Sequence, residues 1–205
     1  MTAMPVERPP SVRPRLMPPR VGLRDSGTWL HWLDEAFAAT PDRLWHSRSV
    51  WNRVANARRH ELRWLPGPSF EILELAALLH DVGRAIDPSD TEPHGFVGAA
   101  FLDAVGLTDV APLVAHHSGG RTEALERGLA HLDVWSSDDD LRALLTYVDR
   151  TTSPKGDSVT LDERRAELAV RYGAEAPQLR WFDASLADAQ RGARLFSSDT
   201  RVLIA

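Results

Sequence analysis

Apolar residues along this chain recur mostly at spacings of three and four, the period of a helix packed on one side. Trp29, Leu30, Leu33 and Phe37 form such a stripe, and predict a helix from Gly27 to Ala39 capped by Ser26. Thr40-Pro41 is a second start signal, a cap followed by proline at the first helical position. The helix it opens runs to about Arg59, with Asp42, His46, Val50, Val54 and Ala57 sharing one face. Trp64 to Pro68 reads as a loop, after which Ser69 caps the next helix. That helix is apolar on all sides: from Ile72 to Val82 only Glu74, His80 and Asp81 are polar. A segment of that kind belongs in the middle of a fold. His80 and Asp81 fall at its inner end, just before Gly83 can stop it.

Further along, a polar loop with two prolines leads to a helix starting near His94. Another covers Asp109 to His117, and the Gly119-Gly120 pair ends it. Thr122 to Leu132 is predicted helical, as is the acid-led segment from Ser137 to Asp149, striped by Leu141, Leu144, Leu145 and Val148. Thr151 to Thr160 is a loop; Thr160 and Glu163 make a capping box for Leu161 to Tyr172. A last helix is expected over Pro177 to Leu195. No stretch reads convincingly as a strand, so the fold class is all-α.

Composition narrows this picture. The 205 residues suit one domain, placed at 25–196, between a flexible Pro/Arg-rich tail at 1–24 and a short tail at 197–205. Six prolines in the first twenty positions argue against order in the first tail. A net charge of -5 argues against a broad basic surface for nucleic acid. The absence of cysteine excludes disulfides, thiolate nucleophiles and cysteine zinc sites. No apolar run is long enough for a membrane span and no signal-peptide core is present, so the expected location is the cytoplasm.

The candidate chemistry lies in polar residues that face inward near helix ends: His46, His80, Asp81, His94, His116, His117 and Asp149. Burying a carboxylate beside imidazoles is costly unless something compensates it, and a divalent metal does so. An ordinary His80-Asp81 hydrogen-bonded pair is the alternative for that dipeptide alone. His31, His60 and His131 read as surface residues.

The ordered set His46, His80-Asp81, His94, His116-His117, Asp149 resembles the HD metal-dependent phosphohydrolase superfamily. The resemblance covers roughly residues 40 to 173. His94-x-x-x-Gly98 and the His116-His117 pair are similar to the branch holding two or three metals, which includes the HD-GYP phosphodiesterases. It implies an all-α HD-domain helical bundle and two divalent transition-metal ions, with Mn, Fe, Co, Ni and Zn all open. His46, His80, Asp81 and Asp149 match ligands of one ion, and Asp81 matches the carboxylate that bridges both. His94 and His116 match ligands of the second ion, and His117 an additional ligand or a substrate contact. Asp42 stands where three-metal members carry Glu. Arg84 stands where many relatives carry a lysine suited to phosphate, and Lys155 is a second candidate cation, although a Pro-Lys-Gly loop also reads as a plain exposed turn. Ser118-Gly119-Gly120 replaces the Glu and Gly-Tyr-Pro of HD-GYP proteins, which speaks against cyclic di-GMP.

The expected activity is hydrolysis of a phosphoester of a nucleotide or small phosphorylated metabolite by a water between the metals, with no nucleic-acid or membrane partner. A mixed-valence di-iron oxygenase has a similar ligand order, and a non-catalytic nucleotide-binding sensor is a third reading.

Overall fold

The computed structural model describes residues 17–197. The tail expected at 1–24 therefore lies outside the described residues as far as residue 16, and the C-terminal tail from residue 198 onward. The described chain is helical with no strand; Thr152 and Ser158 form one isolated bridge.

Helix α1 (Ser26–Ala36) is capped by Asp25, one residue before the expected Ser26, because the Asp25 carboxylate accepts from the Thr28 N–H at 2.7 Å. The Trp29 and Trp32 indoles donate to the carbonyls of Leu23 and Met17, which holds the preceding residues against the helix. Helix α2 (Pro41–Ala57) buries His46, Val50, Val54 and Ala57. Asp42 is exposed, not inward as the periodicity predicts. A four-residue step turns about 40° around the axis, enough to carry a first-turn side chain off the buried face.

Helix α3 (Gly67–Leu79) is the centre of the molecule, with Leu73 and all of Leu75 to Leu79 buried. Each such leucine contributes roughly 1.5–3 kcal/mol by leaving water. The helix begins before Ser69, because Pro68 in the first turn needs no N–H partner. It ends at Leu79, and Gly83 opens the short helix α4 (Gly83–Ile86) instead of stopping α3. A methyl group on Gly83 would lie 1.9 Å from the His94 carbonyl oxygen. Only glycine therefore lets the turn after His80-Asp81 touch the start of α5 (His94–Ala104).

Helix α6 (Ala111–His116) breaks sharply. Ser118 takes a left-handed φ of 55° and Gly119 one of 82°, and α7 (Gly120–Glu126) starts in a new direction. The helix predicted to Leu132 thus stops at Glu126, followed by a 3-10 turn at Ala130–Leu132. Helix α8 (Asp139–Arg150) is capped by Asp138 and buries the expected leucine stripe. The Thr160–Glu163 capping box opens α9 (Leu161–Tyr172). The predicted last helix divides at Ser185 into α10 (Pro177–Ala184) and α11 (Leu186–Phe196); the Ser185 hydroxyl donates to the Phe182 carbonyl there.

Two apolar clusters result. The large one joins α1 to α6 with α8. A separate small one, Leu168, Leu179 and Phe182, holds α9 to α10. The cavity described next lies between the helix ends of the first and the polar faces of the second.

Candidate metal centre and its cavity

Three imidazoles of the centre are each held by a backbone carbonyl. His80, following the last turn of α3, donates from Nδ1 to the Ala77 carbonyl at 2.9 Å. His117, just beyond α6, donates from Nδ1 to the Val114 carbonyl at 2.6 Å. His46 on α2 donates from Nδ1 to the Ser153 carbonyl at 3.1 Å, in the loop after α8. A carbonyl only accepts, so all three Nδ1 atoms carry the proton and all three Nε2 atoms present lone pairs.

Those lone pairs point at other acceptors. His46 Nε2 lies 2.9 Å from Asp149 Oδ1, and His80 Nε2 lies 3.6 Å from the same oxygen. His117 Nε2 is 3.2 Å from His94 Nε2, which is 3.3 Å from Asp81 Oδ1. His80 Nε2 is buried and has no hydrogen-bond partner at all. The acceptors gathered around His80 Nε2 have no donor among them and require a compensating cation. Two ligand sets satisfy that requirement: His46, His80 and Asp81, and Asp81, His94 and His117, with ligand atoms within 4.8 Å of one another. Asp81 belongs to both, and Asp149 adjoins the first. Second-sphere carbonyl partners of this kind fix tautomer and ring orientation in metal sites.

Protonation states agree. Burial raises the Asp81 carboxyl, but Arg84, His80, Arg43 and His94 outweigh it and hold it well below the usual range. Burial likewise raises Asp149, and the close approach of His46 with the charges around it pulls it well below. Burial pushes His80 down, His94 far down and His117 to about 4. Ionised carboxylates beside neutral imidazoles are the state that binds divalent metal.

Of the residues singled out in the sequence, the fold brings His46, His80, Asp81, His94, His117 and Asp149 together, and Arg84 joins them by donating from Nε to Asp81 at 2.9 Å. It does not bring His116 in. That ring faces the other side of the α6 terminus, where Nε2 donates to the Trp135 carbonyl at 2.8 Å and the ring meets Phe96 edge-on. Lys155 is exposed and does not line the cavity. Among the cavity residues that escaped the sequence reading, four polar ones stand out. Arg43, one turn before His46, donates to Asp81 at 3.3 Å. Ser118 hydrogen-bonds Asp149 through its hydroxyl. Arg150 follows Asp149 directly, and Arg164 comes from α9. The first and third were within reach, since both neighbour a ligand by helical spacing or adjacency.

An all-α bundle whose central helix leads into His-Asp, with further imidazoles and a second aspartate folded over it, defines a helical fold with a candidate metal centre. The chain belongs to the HD domain family, whose pattern matches residues 43–173. It is also similar to Ribonuclease Y of Rubrobacter xylanophilus, 36% identical over 85 residues, which cover 40% of this chain and 16% of that protein. The chain thus spans only a small part of that relative's length. No solved structure matches it. Among the described residues, no helix is long and apolar enough to cross a membrane.

Proposed function

We propose that the protein is a metal-dependent phosphohydrolase that cleaves a phosphoester of a nucleotide or small phosphorylated metabolite. The observation that carries the reading is the buried, donorless Nε2 of His80 beside Asp81 and Asp149. Its family membership agrees, and so does the similarity to a protein named as a ribonuclease, since RNA cleavage also breaks a phosphoester.

When bound, two divalent ions supply Lewis acidity toward phosphoryl oxygens and lower the pKa of a water. His46, His80 and Asp81 would hold one, His94 and His117 with Asp81 the other, and Asp149 would complete the first set. Asp81 is common to both sets. Arg84 and Arg43 hold Asp81 now. Both guanidiniums also line the cavity, where their charge would meet phosphoryl oxygens. Ser118 fixes the rotamer of Asp149 from the strained turn after His117. The cavity, about 300 Å³, is the size of a small ligand, which favours a nucleotide-sized molecule over a polymer.

The test is hydrolysis by metal-loaded protein over nucleotides, phosphate esters and a short RNA, without oxygen and with Mn²⁺, Co²⁺ or Ni²⁺. Hydrolysis should proceed, and ¹⁸O from water should appear in the released phosphate. Turnover that requires O₂ and fails with redox-inert metals would replace this reading with the di-iron oxygenase.

A further inference from the structure

The wall of the cavity that α8 and α9 provide holds more positive charge than the metal centre uses. Five arginines line the cavity: Arg43, Arg84, Arg150, Arg164 and Arg171. The first two are accounted for by Asp81. Of the four lining carboxylates, Asp81 and Asp149 belong to the metal centre. The other two, Asp90 and Glu123, are paired with Arg127 at 3.2 and 2.8 Å. No lining carboxylate is thus left over to neutralise the α8–α9 side.

Arg150 and Arg164 show what that leaves. The Arg150 guanidinium donates from Nη2 to the Ser118 carbonyl at 2.7 Å, and its plane lies over Phe182, 4.8 Å from the ring centre. Its Nε is buried without a partner. Arg164 is tied through one end to Glu167, and its Nε is also buried without a partner. Leaving two charged guanidinium donors buried and unsatisfied is expensive. Both arginines line the cavity, where a guanidinium fork matches the geometry of a multidentate oxyanion such as phosphate.

We infer that Arg150 and Arg164 form a second anion site on the α8–α9 side of the cavity, so that the substrate carries two phosphoryl groups, one cleaved at the metals and one held there. This rests on the phosphohydrolase reading for the first group only. The cavity volume of about 300 Å³ accommodates both groups on one small molecule. Arg171, which also reaches Glu167, sits one helical turn or two further along α9 and keeps Arg164 in place through that shared carboxylate.

The test titrates inorganic phosphate into metal-loaded protein by calorimetry. Wild type should bind two phosphates per chain, and Arg164→Gln one. Two bound phosphates in Arg164→Gln overturn the second site, and so does a single phosphate in wild type that survives the substitution. A single phosphate in wild type that Arg164→Gln abolishes supports the second site and instead removes the phosphohydrolase reading. In turnover, the ratio of kcat/KM for a bisphosphorylated substrate to that for p-nitrophenyl phosphate should fall about 10–100-fold in Arg164→Gln, the scale of one lost charged hydrogen bond. A ratio kept within about twofold overturns the inference. Arg150→Gln should behave alike; because Arg150 also holds the Ser118 turn, Arg164→Gln decides the matter where Arg150→Gln fails to fold.

Discussion

The two sides of the cavity are built differently. The metal side consists largely of helix ends that issue from the main core: His46, His80 and His117 each have a backbone carbonyl behind the ring, and Gly83 is pressed close to the His94 backbone. The arginine side comes largely from α9, which is anchored by only three fully buried apolar residues shared with α10. One side is fixed before any ligand arrives. The other is long side chains whose donors wait for one. Rigid ligands place a reaction centre to a fraction of an ångström, while a weakly anchored helix can adapt to what the substrate carries beyond its reacting group. Substitutions on the two sides should therefore fail in different ways.

The largest effect is expected from Asp81→Ala. It removes the one carboxylate common to both ligand sets and leaves Arg43 and Arg84 facing each other's charge. Bound metal should fall below one ion per chain by elemental analysis, and kcat/KM by more than about 10³-fold. Retention of two ions would show that Asp81 does not bridge. Next come the adjacent histidines. His117→Ala should lose one ion and about 10²–10³-fold in activity. His116→Ala should keep both ions and cost about 1–3 kcal/mol of stability, through the unpaired Trp135 carbonyl. Metal loss in His116→Ala would place that ring back among the ligands.

The contrast between those two histidines also explains what could be read from the sequence. The helical period set His46 on the buried face of α2, and the run from Ile72 marked α3 as central. Both follow from apolar spacing, which is local. At the end of α6 the period fails: His117 has ψ of 148° and Ser118 a left-handed φ, so which imidazole turns inward depends on dihedrals no pattern specifies. Arg164 is hidden for another reason. It stands in an Arg164-Arg165 pair on a polar helix, and only the docking of α9 on α10 turns one inward while Arg165 pairs with Asp183 in solvent. Lys155 is the converse case, a cation that sequence order placed near Asp149 and the loop carried outward.

Acid should separate the two sides as well. His117 titrates at about 4 in the fold against an ordinary value of 6.5, because burial disfavours its charged form. The unfolded chain then binds more protons between those values, so stability rises with pH across that window and is lost as pH falls through it. For the protein stripped of metal the loss from this group should approach about 3 kcal/mol between pH 6.5 and 4. The arginines keep their charge throughout, so the loss belongs to the metal side alone. Denaturant midpoints of wild type and His117→Gln measured over that range check it. Equal pH slopes in the two would assign the acid sensitivity to other groups.

The smallest effect should come from the start of α9. Thr160 accepts from the Glu163 N–H at 3.1 Å, and the Glu163 carboxylate accepts from the Thr160 N–H at 2.7 Å. Thr160→Ala removes the first bond and loosens the second, at a cost of about 1 kcal/mol. The residue is exposed and does not line the cavity, so bound metal should not change. Arg164 lies one turn inside that cap, however, with its backbone N–H on the Thr160 carbonyl at 3.0 Å. Fraying the first turn moves the arginine that faces the cavity without touching the centre that cleaves. KM for a bisphosphorylated substrate should rise several-fold with kcat nearly constant, the signature of binding lost equally from ground state and transition state. A fall in kcat at constant KM would mean instead that α9 helps to set the geometry of the metal side, and the two sides of the cavity would then have to be treated as one.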